Sequence, residues 1–434
     1  MSADAAAAPT ATPAEPPKVM LTKHAVWVIF AALMGSMLLS SLDQTTVGTA
    51  LPTIVGELGG VEHMGWLVTA YILAIAIVMP IYGKVGDIIG RRWPFLIAVA
   101  LFTFGSFLCG LAQSFPMLVG SRALQGLGGG GLMILSQAII ADIVPASERG
   151  RYMGPMGAVY GIAAVLGPLI GGALTQGPGW RWTFWVNLPV GITAWIVAFI
   201  VLRLPSRKDD QPFDWLGTAL LVIGTSGIVL VASWESLGNA SYDWDDWTLR
   251  GLVLVTALAI TAFIAVELRV KDPLIPLRLF KIPTFTLTTI IGLVLGMGLF
   301  SAMSLLPTFL QMSTGAGVTE SGWRMLPMTM GIMLTAIGSG LLITRLRRYK
   351  WFIVAGLALT ATGISWLTQI HGDMSMVLFS AMIFTLGFGM GLVMQNIVLA
   401  VQNAVDAHEV GTATSANNFF RQIGAAVGTA AFTT

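Results

Sequence analysis

A few residues in this 434-residue sequence could do chemistry within an otherwise apolar chain. They are Asp43, the arginines Arg122 and Arg421, and the run Gly83-Lys84-Val85-Gly86-Asp87-Ile88-Ile89-Gly90-Arg91-Arg92. Asp43 lies in Leu42-Asp43-Gln44-Thr45-Thr46 and Arg122 in Arg122-Ala123-Leu124-Gln125-Gly126, both flanked by apolar sequence. A carboxylate in such a setting is pulled two ways: desolvation favours the neutral acid, and a neighbouring guanidinium favours the anion. A group balanced between the two can load a proton in one arrangement of the chain and release it in another. Arg122 is the expected partner of Asp43, and the competing reading is a permanent ion pair that only holds helices together. Asp87 can likewise make a charge-assisted contact that exists in one arrangement and is broken in another.

The elements that must position these residues are membrane helices. With 55% hydrophobic and 10% charged residues, the chain has too little polar surface to coat a soluble globule of its length. Thirteen apolar stretches recur, from Trp27–Thr49 to the one beginning at Gly411. A run of roughly 20 apolar residues spans the hydrocarbon, because a helix satisfies its own backbone there. Lys and Arg alternate between sides: Lys84, Arg91, Arg92, Arg149, Arg151, Arg345 and Lys350 share a side with the N-terminus, and Arg181, Arg250 and Arg324 lie opposite. That bias places the N-terminus in the cytoplasm. Only Arg122 and Arg421 remain within predicted spans. The net charge of +2 is explained by topology, and no nucleic-acid partner is expected.

Several other readings bound the function. Met1–Pro17 has the composition of a disordered tail rather than a signal peptide. Cys109 is the single cysteine, which excludes an intramolecular disulfide and a multi-cysteine metal site. Asn239-Ala240-Ser241 matches a glycosylation sequon by chance. The four histidines are scattered, with no HExxH and no Ser, His and acid cluster, so no catalytic residue and no metal site is expected. The glycine run Gly128–Gly131 lacks the GxxxxGK[ST] of a phosphate loop and serves helix packing.

The chain repeats itself. Gly65-Trp66 recurs 257 residues later as Gly322-Trp323, and Gly83 aligns with Gly340 at the same offset. At an offset of 261, Gly150 matches Gly411 and Gly167 matches Gly428. Two duplicated halves with an inserted pair of helices account for this. The second half then lacks a counterpart to the sixth span, Trp182–Leu202, and a shortened form of a 14-helix protein is expected.

Several ordered motifs carry a resemblance that covers nearly the whole chain. Gly83–Arg92 resembles the GxLaDrxGrr loop of the major facilitator superfamily, with Gly86 for the usual Ala and Ile88 for a frequent Arg. Leu42–Pro52 is similar to LDxTIVNVALP of the 14-helix drug:proton antiporter branch, with Gly48 where Asn is common. Arg122–Gly126 resembles the RxxxQG motif of the fourth helix. Gly167-Pro168-Leu169-Ile170-Gly171-Gly172 resembles the GPxxGG antiporter motif, and Trp180–Gly191 the WRWxFxINxPxG segment. Asp214-Trp215-Leu216-Gly217 and Ser415–Gly424 match further segments of the branch.

The resemblance implies an all-α polytopic membrane protein of the major facilitator fold. Its expected parts are a cytoplasmic tail (1–24), an N-terminal six-helix bundle (25–204), two inserted helices with linkers (205–282) and a C-terminal bundle with five of its six helices (283–434). It implies export of small amphipathic or cationic organic substrates across a bacterial inner or cell membrane, by a monomer with no cofactor and a proton gradient as energy source. Asp43 and Arg122 are the expected proton-coupling pair. Gly83, Asp87, Gly90, Arg91 and Arg92 are the expected cytoplasmic gate loop, with Gly167, Pro168, Gly171 and Gly172 as the kink. Asp43, Gln125, Asn396, Asn418, Phe419 and Arg421 are the expected cavity lining. Met297, Met303, Met325, Met328, Met330 and Met333 could form an adaptable apolar wall, and Arg421 either lines the cavity or pairs with Glu409. A narrow exporter of one metabolite or antibiotic, and a transport-inactive scaffold or sensor on the same fold, are the alternatives.

Overall fold

The structure is a computed structural model, and it describes residues 22–202, 213–235, 245–314, 318–371 and 374–433. The Met1–Pro17 tail and the Asn239 sequon lie outside the described residues. Helices occupy every predicted span: α1 Lys23–Leu58, α2 Gly65–Ile89, α3 Arg92–Leu111, α4 Phe115–Ile143, α5 Arg149–Gln176, α6 Trp182–Trp185, α7 Asn187–Val201, α8 Trp215–Ala232, α9 Trp247–Glu267, α10 Pro283–Thr314, α11 Val318–Arg324, α12 Leu326–Leu346, α13 Lys350–Leu367, α14 Met376–Ala404 and α15 Val410–Thr433. Oxygen-bearing side chains start several of them: Thr22, Ser114, Asp214, Asp246 and Ser375 each accept a first-turn backbone N–H.

Eleven helical segments among the described residues are long and apolar enough to cross a membrane. α15 is not among them, because it carries Asn417, Asn418, Arg421 and Gln422. Those residues are buried, and α15 packs against α2, α4, α8, α10 and α14 rather than standing against lipid.

Three elements differ from their sequence reading. The predicted loop Gly83–Arg92 is mostly helix: α2 continues to Ile89, and only Gly90, at φ 88°, turns the chain. Nothing in Lys84–Ile89 breaks a helix, and Gly83 serves close packing rather than a turn. The sixth span divides at Val186 into α6 and α7, since Pro189 cannot donate to the Trp185 carbonyl. The tenth divides at Met325 into α11 and α12, where Pro327 likewise cannot donate to Trp323.

α1 to α7 pack on one another around Phe30, Met37, Tyr71, Phe95, Phe102 and Leu132. α10, α12, α13 and α14 surround Leu295, Met328, Ile332, Phe379 and Met390, and α15 packs against α10 and α14 with its own core residues Ala413, Ala416 and Ile423. The α8–α9 hairpin rests against α2 and α15, and Lys84 of α2 bonds Asp272 in the segment after α9.

Between these groups the repeat reappears as contacts. A β-carbon at Gly83 (α2) would lie 2.8 Å from the Gly411 carbonyl (α15), and one at Gly150 (α5) would lie 2.8 Å from the Gly340 carbonyl (α12). The repeat equates Gly83 with Gly340 and Gly150 with Gly411, so a single helix crossing is made twice. Asp87 faces α15 at the first crossing. Thr344, at the equivalent position of the second, turns its hydroxyl back to the Gly340 carbonyl (2.9 Å).

Gly83→Val should push α2 from α15 and expose this end of the bundle. Maleimide labelling of a cysteine introduced at buried Thr414 is expected to quicken by about tenfold, the effect of roughly 1.4 kcal/mol on a two-state equilibrium. An unchanged rate would show that the crossing tolerates the added bulk.

Candidate functional site

Asp43, just past the midpoint of α1, is fully buried at 0% exposure. Its Oδ2 accepts from Arg122 of α4, and its Oδ1 accepts from Gln125 Nε2 (2.8 Å) and Asn187 Nδ2 (2.9 Å). Gln125 lies one turn beyond Arg122 on α4, so both side chains share a face toward α1. The break at Val186 sets Asn187 at the start of α7, beside Ser106 of α3 (3.4 Å), which also receives Gln125 Nε2 at 2.6 Å. The Arg122 guanidinium stacks over Tyr71, 3.9 Å from the ring centre, and Tyr71 is itself tied to Ser40. Five helices therefore close around one ion pair.

Each partner of the pair has further polar neighbours. A proton on Asp43 would remove the acceptor shared by three donors. Arg122 has other acceptors in place, Gln125 Oε1 at 2.7 Å and the Leu67 carbonyl at 3.4 Å, together with the Tyr71 face. The kink motif lies next to it: Thr45 Oγ1 donates to the Ala163 carbonyl of α5 (2.9 Å), while Gly167 and Gly171 let α5 press on Thr45, Thr46 and Thr49. Pro168 sits inside α5, and a β-carbon at Gly172 would meet open space.

The end of the bundle holding Asp87, Arg91 and Arg149 is a basic face closed by charges on helix ends. Asp87 Oδ2 accepts from Thr412 N (2.7 Å) and Thr412 Oγ1 (2.9 Å), and Oδ1 from Gly411 N (3.2 Å), capping α15 from another helix. Arg91 fixes Asp87 from the side (3.0 Å), pairs with Asp142 (3.0 Å) and donates to the Ala138 carbonyl. Arg149 Nη2 donates to the Ala141 carbonyl (2.7 Å), and its Nη1 reaches the Gln402 carbonyl at the end of α14 (3.3 Å). Arg92 takes no part in this closure. It donates to the Phe199 carbonyl (3.0 Å) and so caps α7.

The expected cavity lining is not one cavity. Asp43 and Gln125 belong to the sealed cluster. Asn396 bonds Ser339 of α12 (3.0 Å), and Phe419 faces Leu221, Leu274 and Phe285 in a separate core. Asn418 and Arg421 face α4 and α5 instead. With three donors on its carboxylate, Asp43 has no free side for a cationic cargo. The methionines are also dispersed, with Met328 in the core and Met330 55% exposed, while the side chain of Met303 lies outside those described. A cavity of about 150 Å³ opens at the opposite end, between Thr49, Thr53, Pro168, Leu169, Gly322 and Trp323. That is below the roughly 300–1,000 Å³ of small-molecule sites. Asp406, His408 and Glu409 approach one another at the surface, but Arg278 already holds Glu409 at 2.5 Å.

Sequence reasoning missed Asn187, Ser106, Tyr71 and Arg149. Asn187 was hidden in a motif read for its aromatics, and Arg149 read as a topology charge. The only sequence signal for Asn187 was an amide two residues before a proline that interrupts a helix.

Arg122→Met should destabilise the protein by about 3–5 kcal/mol, because a buried carboxylate is left unanswered. Adding Asp43→Leu should recover most of that loss. Reactivity of the buried Cys109 during thermal unfolding reports both, and a single variant as stable as the parent would refute the pairing.

Residues 33–429 match the Major Facilitator Superfamily. An uncharacterized MFS-type transporter of Mycobacterium tuberculosis is 40% identical over 405 residues, which are 93% of this chain and 58% of the relative. This chain thus spans 58% of the length of that relative. The multidrug transporter protein MdtP of Bacillus subtilis is 38% identical over 403 residues, 92% of this chain and 73% of its own length. Among solved structures, the human organic anion transporter MFSD10 superposes with a TM-score of 0.66 at 15% identity, covering 96% of this chain and 93% of that one, a likeness of fold. By this match across its length and these relatives, the chain belongs to the major facilitator superfamily and is kin to its multidrug transporters.

Proposed function

We propose that the chain exports amphipathic organic compounds by alternating access, driven by protons moving inward through Asp43. Residues 25–204 and 283–434 act as two bundles about a central site, residues 205–282 form the inserted pair with its linkers, and the N-terminus faces the cytoplasm of a cell or bacterial inner membrane. The observation that carries this reading is the enclosed Asp43–Arg122 pair, one turn from where α5 presses on α1. A proton on Asp43 loosens α1 from α4 and α7. Gly167 and Gly171 pass the displacement to α5, whose other end meets α12 at Gly150 and Gly340. The contacts of Asp87 and Arg149 on the basic face then break or re-form as the bundles rock. The driving force is adequate, since one charge crossing 100 mV contributes about 2.3 kcal/mol before any pH difference is added. The name of the Bacillus relative supports a broad cargo range and a monomer is sufficient for this mechanism.

The test is efflux of a lipophilic dye from energised vesicles, with and without a protonophore, for the parent and Asp43→Asn. Protonophore-sensitive efflux that is lost in the variant is expected. Efflux unaffected by both would remove proton coupling from Asp43.

A further inference from the structure

Four Lys and Arg side chains are buried among the described residues: Lys84, Arg91, Arg122 and Arg421. Lys84 has Asp272, Arg91 has Asp87 and Asp142, and Arg122 has Asp43. Arg421 has no carboxylate within ion-pair distance among the described residues. Glu409, the acid that sequence offered as its partner, is held by Arg278. At 5% exposure, Arg421 is a cation enclosed within the helices and not answered by charge.

Its surroundings are built for a polar group. Arg421 Nη2 donates to Asn418 Oδ1 (2.5 Å), and Nη1 has no protein partner. Asn418 in turn donates to Gln137 Oε1 of α4 (3.1 Å), leaving Gln137 Nε2 buried and without a protein partner. The guanidinium carbon stands 5.8 Å from the ring centre of Tyr160 on α5. Arg421 and Tyr160 each lie 11 residues into helices that start on the basic face, or about 17 Å at the helical rise, near the middle of the hydrocarbon. The backbone is fixed from behind, because Gly296 and Gly424 bring α10 and α15 into contact at this level. An unpartnered guanidinium NH2, an unpartnered amide NH2 linked to it through Asn418, and an aromatic face thus lie where α15 faces α4 and Tyr160 of α5.

We propose that Arg421, with Gln137 and Tyr160, is the polar end of the cargo site and takes an organic anion, an amphipath with a carboxylate head. A guanidinium matches a carboxylate through charge-assisted hydrogen bonds, and the Tyr160 ring accepts the apolar body beside it. A cationic cargo meets an unanswered positive charge there, and Asp43 is not free to offset it. The site is closed over in this conformation, and parting of α4 and α5 from α15 opens it from the basic face. This inference rests on the transport reading, yet it concerns binding alone.

The experiment is equilibrium binding of dansylated undecanoic acid and of its methyl ester to the protein in phosphatidylcholine nanodiscs, with no gradient present. The parent should bind the acid about tenfold more tightly than the ester, the scale of one hydrogen bond to a charged group. Arg421→Gln should abolish that preference with ester binding intact, and Arg421→Lys should keep part of it. Asn418→Asp sets a carboxylate against Nη2 in nearly the same shape and should also remove the preference; it decides the matter if Arg421→Gln fails to fold and loses the ester as well. Equal binding of acid and ester by the parent, or a preference that survives in Asn418→Asp and in a folded Arg421→Gln, overturns the proposal. Displacement of the acid by phosphatidylglycerol, dependent on Arg421, would overturn it in favour of a lipid phosphate. Because no gradient is used, failure of proton coupling in the efflux test is read separately.

Discussion

A charge enclosed by lipid-embedded helices must be answered, and the way each one is answered organises this molecule. Asp43 is the strictest case. Three donors on three side chains satisfy its two oxygens, and those side chains come from α4 and α7, with α2 and α3 behind them. Five helices are thereby committed to positions set by one carboxylate. The stacking of Arg122 on Tyr71 and the second acceptor on Gln125 mean that this order need not collapse when the charge changes.

The basic face obeys the same constraint with backbone dipoles as partners. Asp87 answers the N-terminus of α15, and Arg149 answers the C-terminal ends of α4 and α14. Asp87 with α15 and Arg149 with α14 join helices from distant parts of the chain, and both contacts use the register of a helix end, with the Thr412 and Asn403 side chains beside it. Contacts of this kind persist only while the helices keep that register.

How much of this was legible depended on the interaction. The thirteen helical spans followed from apolar length, though not the breaks that divide two of them, and the Asp43–Arg122 pairing followed from the rarity of charge within spans. The charged contacts of Asp87 and Arg91 were legible but not that of Arg92, whose partner is the Phe199 carbonyl, because backbone acceptors leave no mark in sequence. Gly83 was placed in a loop by the motif it opens, while in the structure it makes close contact with a helix over three hundred residues away. The expected cavity lining is scattered in this conformation for a related reason. Asn396, Phe419 and Arg421 are all large buried side chains of the last two helices, but each faces a different neighbour, and facing is decided by tertiary packing.

The two glycine crossings share a backbone but not a charge. At α2 and α15 the contact carries a carboxylate spread over three donors, whereas at α5 and α12 Thr344 spends its hydroxyl on its own helix. Two seams of equal shape and unequal charge are not equivalent. One resembles a clasp, held by a single carboxylate, and the other the spine of a book, with no charge at the matching position, so a change at Asp87 would bear on one edge of the molecule and leave the other as it is.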